Sequence, residues 1–210
     1  MESPGTIPGP HFNGQRTLNL LFMLKSRHPW PFAAVLVTAA FFLLDAIWIP
    51  VKAEVAQYLL EDAWQRTVDG QANAKPWPWA DTRPVGILEV PDRGIRQIVL
   101  SGTSGRNLAF GPTLLGQPGR PDRIISGHRD THFEFLRQLE PGDRIRLTTR
   151  NDDREYLVKW IEVIDSERQQ MVLNHGVSRL TLATCYPFDT VVPGGPLRYV
   201  VTALPIDHPG

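Results

Sequence analysis

The stretch Leu180-Thr181-Leu182-Ala183-Thr184-Cys185-Tyr186-Pro187 decides the fold class, because it places the only cysteine of the 210-residue chain at the end of a strand-like run. Residues 180–184 mix apolar and hydroxyl side chains in the manner of a half-buried β-strand. Pro187 then withholds a backbone donor and ends the strand. The pattern predicts that the thiol of Cys185 lies at a strand exit, where it can meet a ligand.

Short runs of the same kind recur from Val85 onward, separated by Gly, Pro, Asn and Asp turns. This spacing predicts a mainly β domain of seven to eight strands that close into a barrel, with short helices between them. Residues 133–139 are a candidate for one or two helical turns. The predicted strands are 86–90, 96–100, 123–127, 143–149, 154–163, 179–184 and 197–204.

The composition fits a loop-rich β domain with appendages, since the chain is 42% hydrophobic and has 19 Pro and 17 Gly. Basic and acidic residues number 22 each, so the chain has no overall positive field. Nucleic-acid binding is therefore not expected. A single cysteine cannot form an internal disulfide, which leaves the thiol available for reaction.

An apolar stretch near the N-terminus, residues 32–49, contains one charged residue, Asp45, and is long enough to span a bilayer. Trp30 and Trp48 stand near its ends as interfacial aromatic residues do. The basic residues that precede it predict a cytoplasmic N-terminus: Arg16, Lys25 and Arg27. A cleaved signal peptide is the alternative, with small residues at 51–53, but its apolar segment is usually shorter.

The chain divides, on this reasoning, into five parts. We expect a disordered cytoplasmic tail (1–31), a transmembrane anchor (32–49), a helix with a Pro/Trp connector (50–84), a β-barrel domain (85–205) and a C-terminal tail (206–210). Apolar residues at helical spacing predict that residues 53–68 form an amphipathic helix. Met23 is an alternative initiator.

Two further motifs accompany the cysteine stretch: Ser126-Gly127-His128 at the end of one predicted strand and Leu197-Arg198-Tyr199 at the start of another. Together with Thr181-Leu182-Ala183-Thr184-Cys185, this pattern resembles the sortase family of cysteine transpeptidases. The block that starts at Ser126 is similar to proteobacterial members of that family. The resemblance continues through residues 107–112, 142–147 and 156–158.

Acyl transfer at a peptide bond needs a nucleophile, a proton carrier and stabilisation of the oxyanion. Cys185 is the candidate nucleophile because a thiolate attacks carbonyls and leaves a thioester. His128 can carry the proton, and Arg198 is too basic to be a base and serves electrostatically. The resemblance implies the same assignment. Thr181 and Thr184 either contact substrate or simply suit a strand.

We expect no cofactor and no metal. His132 follows His128 by four residues, a spacing that could hold zinc on a helix, but the segment follows a strand, so His132 is interpreted as structural. His175 is interpreted as a loop residue.

The resemblance implies a transpeptidase that is anchored in the bacterial inner membrane by a single helix, with its barrel outside the cytoplasm. It would cleave an LPxTG-like sorting motif near the C-terminus of a secreted protein and transfer the acyl part to an amine. Two alternatives stay open. One is a thiol peptidase with water as acceptor, and the other is a non-catalytic peptide-binding barrel.

Overall fold

The computed structural model describes residues 30–102, 104–171, 173–174, 176–190 and 194–206. The chain divides into two compact units, of which the first ends at Ile49. Helix α1 (Trp30–Val68) begins in the first unit and ends in the second, with Pro50 inside it. The predicted anchor (32–49) and the predicted amphipathic helix (53–68) both lie within α1. His175, Met23 and most of both expected tails lie outside the described residues.

The N-terminal part of α1 is exposed and is apolar apart from Thr38 and Asp45. Its mean hydropathy reaches 2.3, so by length and composition α1 could cross a membrane. Within the second unit, the C-terminal part of α1 packs on the barrel through Leu60, which joins Ile98 and Leu100 in an apolar cluster. Burying one such leucine contributes about 1.5–3 kcal/mol. Glu61 adds a two-bond ion pair with Arg96, which lowers the pKa of the glutamate.

Eight strands, counted over the described residues, close into a barrel in the order β1-β2-β3-β4-β7-β8-β6-β5. The strands are β1 (Pro84–Val90), β2 (Ile95–Ser101), β3 (Thr113–Leu115), β4 (Asp122–Ser126), β5 (Arg144–Thr149), β6 (Asp152–Asp165), β7 (Arg179–Cys185) and β8 (Leu197–Pro205). The short helical elements are α2 (Gly105–Leu108) and 3-10 turns at Pro91–Arg93 and Glu134–Gln138. The predicted closed, mainly β fold with short helices is confirmed.

The barrel core is formed by side chains that alternate inward along the strands. Leu180 and Leu182 of β7 and Val201 of β8 are fully buried there. Phe133, just before the second 3-10 turn, is also fully buried and belongs to the same cluster. The segment after β4 is therefore fixed to the barrel by an aromatic side chain in the core.

Candidate active site

Three strand ends meet at one edge of the barrel because of how β4, β7 and β8 pair. β4 and β7 run parallel, with Ser126 opposite Ala183, so their C-terminal ends lie at the same edge. The N–H of Gly127 continues this pairing by donating to the carbonyl of Ala183 at 3.2 Å. Gly127, the residue before His128, therefore lies next to the last residues of β7.

The third residue comes from β8, which runs antiparallel to β7 and starts at the same edge. In that pairing Cys185 and Arg198 are directly opposite one another. Residues directly opposite on one sheet share a face. The structure thus brings Cys185, Arg198 and the backbone of His128 together, although they are far apart in sequence.

The face on which the thiol lies follows from the period of the strand. Leu180 and Leu182 point into the core, so Thr181, Ala183 and Cys185 point to the opposite side of the sheet. Cys185 itself is half-buried, while the His128 side chain is exposed. A partly accessible thiol is what nucleophilic chemistry requires.

A groove of about 470 Å³ lies on this same face, toward the start of β7. Its lining combines apolar and polar side chains, as small recognition sites usually do. Between the groove and the thiol, Ala183 packs with Ile164 and Val200, and Met171 covers them. The groove is lined by Ile124, Glu162, Ile164, Gln169, Gln170, Met171, Arg179, Thr181, Val200 and Thr202.

The two threonines of the motif have different positions. Thr181 lines the groove, on the face of the thiol. Thr184 is 3% exposed, and its hydroxyl donates to the carbonyl of Gly127 at 2.8 Å. This bond ties β7 to the histidine-bearing segment, which supports the interpretation that Thr184 suits the strand.

Gly127 is needed for a steric reason. A Cβ at this position would come within 2.7 Å of the Phe133 ring, closer than real contacts allow. The chain then turns, and the N–H of Phe133 donates to the carbonyl of His128 at 2.9 Å. The glycine thus lets the segment that carries His128 pack directly on the core.

Arg198 is half-buried at the start of β8. Its Nη1 donates to the carbonyls of Gly195 and Leu197 at 2.7 and 2.8 Å. These bonds hold the guanidinium beside its own loop. Contact with an oxyanion at the thiol would use the other edge of the guanidinium, Nε or Nη2.

The carboxylates nearest in sequence to the site residues have arginine partners. Asp130 pairs with Arg129 at 2.8 Å, and Asp189 pairs with Arg137 at 3.3 Å. Among the described residues, no group of three or more His, Cys, Asp or Glu side chains is arranged to hold a metal ion. Sequence reasoning missed Arg129, whose only signal was its place directly after the histidine.

His132 lies behind His128, half-buried, with its Nδ1 3.2 Å from Oε1 of Gln97 on β2. Burial lowers the pKa of this imidazole, and the nearby His128 lowers it further, against a hydrogen bond with the backbone of Ala109. The contacts link the histidine-bearing segment to β2 and to the residue after α2. His132 therefore connects the segment that follows β4 with β2 and with Ala109.

Because its pKa is lower in the folded chain, His132 should make stability depend on pH. Unfolded histidine takes up a proton near its ordinary value of 6.5, whereas folded His132 does so at lower pH. The unfolded state then binds more protons, so stability falls as pH drops below 6.5. The Tm of the wild type should fall more steeply there than that of His132→Gln, measured by circular dichroism. Equal slopes would contradict this role.

Comparison with known proteins identifies the family of the domain. The model of the sortase domain matches residues 88–206. Sortase D of Bacillus subtilis (strain 168) is 32% identical over 121 residues, which cover 55% of this chain and 61% of that protein. Sortase A of Bacillus anthracis is 25% identical over 124 residues, covering 56% and 57%. The chain thus spans about three fifths of the length of these relatives.

Solved structures share the fold. A sortase D5 transpeptidase of Clostridium perfringens superimposes with a TM-score of 0.57 at 21% identity, covering 73% of this chain and 99% of that one. A Clostridium perfringens sortase C, solved with the C-terminal cell wall sorting motif, gives 0.51 at 20% identity, covering 75% and 90%. The domain match extends over more than half of the chain, and this protein belongs to the sortase family.

Proposed function

We propose that this chain is a cysteine transpeptidase that cleaves a sorting motif and transfers the acyl part to an amine. The observation that carries the proposal is the convergence of Cys185, His128 and Arg198 at one edge of the barrel, with a groove on the face of the thiol. A peptide lying in the groove would extend along β7 toward Cys185. Thr181 is proposed to contact that peptide.

In the first half of the reaction, the Cys185 thiolate attacks the scissile carbonyl and forms a tetrahedral intermediate. Arg198 stabilises its oxyanion, an effect of about 3–4 kcal/mol for a single well-placed donor. The C–N bond then breaks, and His128 protonates the departing amine. The product is a thioester between the substrate and Cys185.

In the second half, an incoming amine attacks the thioester. His128 takes the proton from the amine, a second tetrahedral intermediate forms, and the thiolate leaves as the new amide bond is completed. Water in place of the amine would give hydrolysis. The two outcomes use the same residues and differ only in the acceptor.

The proposed substrate is a secreted protein with an LPxTG-like motif near its C-terminus. The support is the family relationship and the relative that was solved with a cell wall sorting motif. The apolar part of α1 is proposed to anchor the chain once in the bacterial inner membrane. Basic residues before that segment favour a barrel on the periplasmic side.

Mass spectrometry of a motif-peptide reaction tests the proposal. Full-length protein in detergent is incubated with peptides that carry LPxTG and its single-position variants, with and without triglycine. We expect a covalent thioester on the protein and a peptide ligated to triglycine. Hydrolysed peptide alone would indicate a thiol peptidase. Binding without thioester formation would indicate a non-catalytic barrel.

A further inference from the structure

Arg129 directly follows His128, yet its side chain is turned away from solvent. The residue is 8% exposed, whereas His128 and Asp130 on either side are exposed. Each of its three guanidinium nitrogens donates a hydrogen bond. The acceptors are Oδ1 and Oδ2 of Asp130 at 2.8 and 3.3 Å, the carbonyl of Pro187 at 2.6 Å and the carbonyl of Thr190 at 3.1 Å.

Two of these acceptors belong to the segment that leaves Cys185. Pro187 and Thr190 lie two and five residues beyond the thiol, on either side of Phe188. Phe188 holds the middle of that segment by packing on Tyr199, with ring centroids 5.1 Å apart. Arg129 holds the backbone on both sides of it. One side chain therefore links the histidine-bearing segment to the segment that follows the nucleophile.

This link matters because the strand pairing ends before the reactive side chains. The pairing of β4 with β7 stops at Ser126 and Ala183, and a backbone bond from Gly127 extends it. The relative position of Cys185 and His128 then depends on contacts beyond the strands. A second ion pair between the same two segments, Arg137 with Asp189, is 43% and 91% exposed. Exposed pairs contribute little.

The positive charge of Arg129 also interacts with three nearby acidic groups: Asp130, Cys185 and Asp189. Its hydrogen bond to Asp130 raises the pKa of the guanidinium, and the negative charges of the Cys185 thiolate and Asp189 act in the same direction. A planar fork that reaches two carbonyls and a carboxylate at once cannot be reproduced by the single ammonium of lysine. Geometry and charge thus both depend on arginine at this position.

We propose that Arg129 is a positioning residue for the proposed transfer reaction, holding the Cys185 and His128 segments together through the carbonyls of Pro187 and Thr190. The inference rests on the proposed function. Arg129 does not touch the reacting atoms. It acts by setting the distance and orientation between the thiol and the imidazole, and misplacement by about 1 Å can slow an enzyme about 100-fold.

The test compares Arg129→Gln, Arg129→Lys and the matched control Arg137→Gln in the full-length protein, with a motif peptide that the wild type turns over. We expect Arg129→Gln to lower kcat about 100-fold with little change in KM, and Arg129→Lys to recover less than about tenfold of that loss. Arg137→Gln should keep kcat. Hydrogen exchange at residues 186–190 should accelerate in both Arg129 variants and not in the control.

Three results would overturn the assignment: wild-type kcat in Arg129→Gln, full recovery in Arg129→Lys, or an equal loss in Arg137→Gln. Rates are measured well below the Tm of each variant. If Arg129→Gln folds poorly, Arg129→Lys, which keeps the buried positive charge, still tests the assignment. An inactive wild type would refute the proposed function itself, and with it the reaction assigned to Arg129. If the wild type is active and the Arg129 variants keep its kcat, only the positioning role of Arg129 is refuted.

Discussion

Replacement of Cys185 by alanine is expected to abolish thioester formation and all turnover. The reason is chemical, since Cys185 is the only cysteine in the chain and no other thiol can take its place. A serine or threonine hydroxyl nearby would need a strong base to become a nucleophile. Intact-mass spectrometry of the protein after incubation with a motif peptide detects the thioester in the wild type and should detect none in the variant.

The same replacement should leave the fold unchanged. Cys185 is half-buried at the last residue of β7, and the core positions of that strand are Leu180 and Leu182. Alanine keeps the strand and removes one sulfur atom at the edge of the barrel. The variant should therefore melt within a few degrees of the wild type, as seen by circular dichroism. Peptide cleavage at the wild-type rate by folded Cys185→Ala would refute the assignment.

The barrel is predictable from the sequence because most of its strands carry their own signals. β4, β7 and β8 are largely apolar runs near Gly, Pro or Asp, and their predicted limits agree with the structure to within one residue. β3 was missed. It has three residues, Thr113–Leu115, between Pro112 and Gly116, and reads as a loop. These three residues form a strand because they pair with β2 and β4, and the residues alone do not show that pairing.

The site is predictable only as far as residue types mark it. Cys185, His128 and Arg198 are found because their chemistry is distinctive and each lies at a strand end. The alternation of Leu180 and Leu182 already places Thr184 on the core side, so its buried position could have been deduced. The same two-residue alternation places Thr181 on the opposite face of β7, where the groove lies.

Arg129 could not be found in this way. Apart from the neighbouring Asp130, its partners are backbone carbonyls 58 and 61 residues away, and a carbonyl carries no residue-type signal. With 22 basic residues in the chain, one arginine beside a histidine is not informative. Its burial depends on how the segments after β4 and β7 fold over each other, which only the tertiary structure shows.

Replacement of His128 by alanine is expected to lower turnover by about 10²–10⁴-fold, the usual contribution of a positioned proton carrier. Both halves of the proposed reaction move a proton at this residue, so formation and aminolysis of the thioester should both slow. His128 is exposed, and the segment that carries it is held by Gly127 and Phe133, so the variant should fold normally.

Single-turnover kinetics with a motif peptide separate the two halves for His128→Ala, and His132→Gln is the matched control from the same segment. Thr184 holds the backbone at Gly127, so the nucleophile stays in place while the proton carrier is lost. Added imidazole should then restore part of the rate in His128→Ala and none of any loss in Cys185→Ala. If His128→Ala instead keeps the wild-type rate, or if His132→Gln loses as much, His128 is not the proton carrier and the proposed mechanism is wrong.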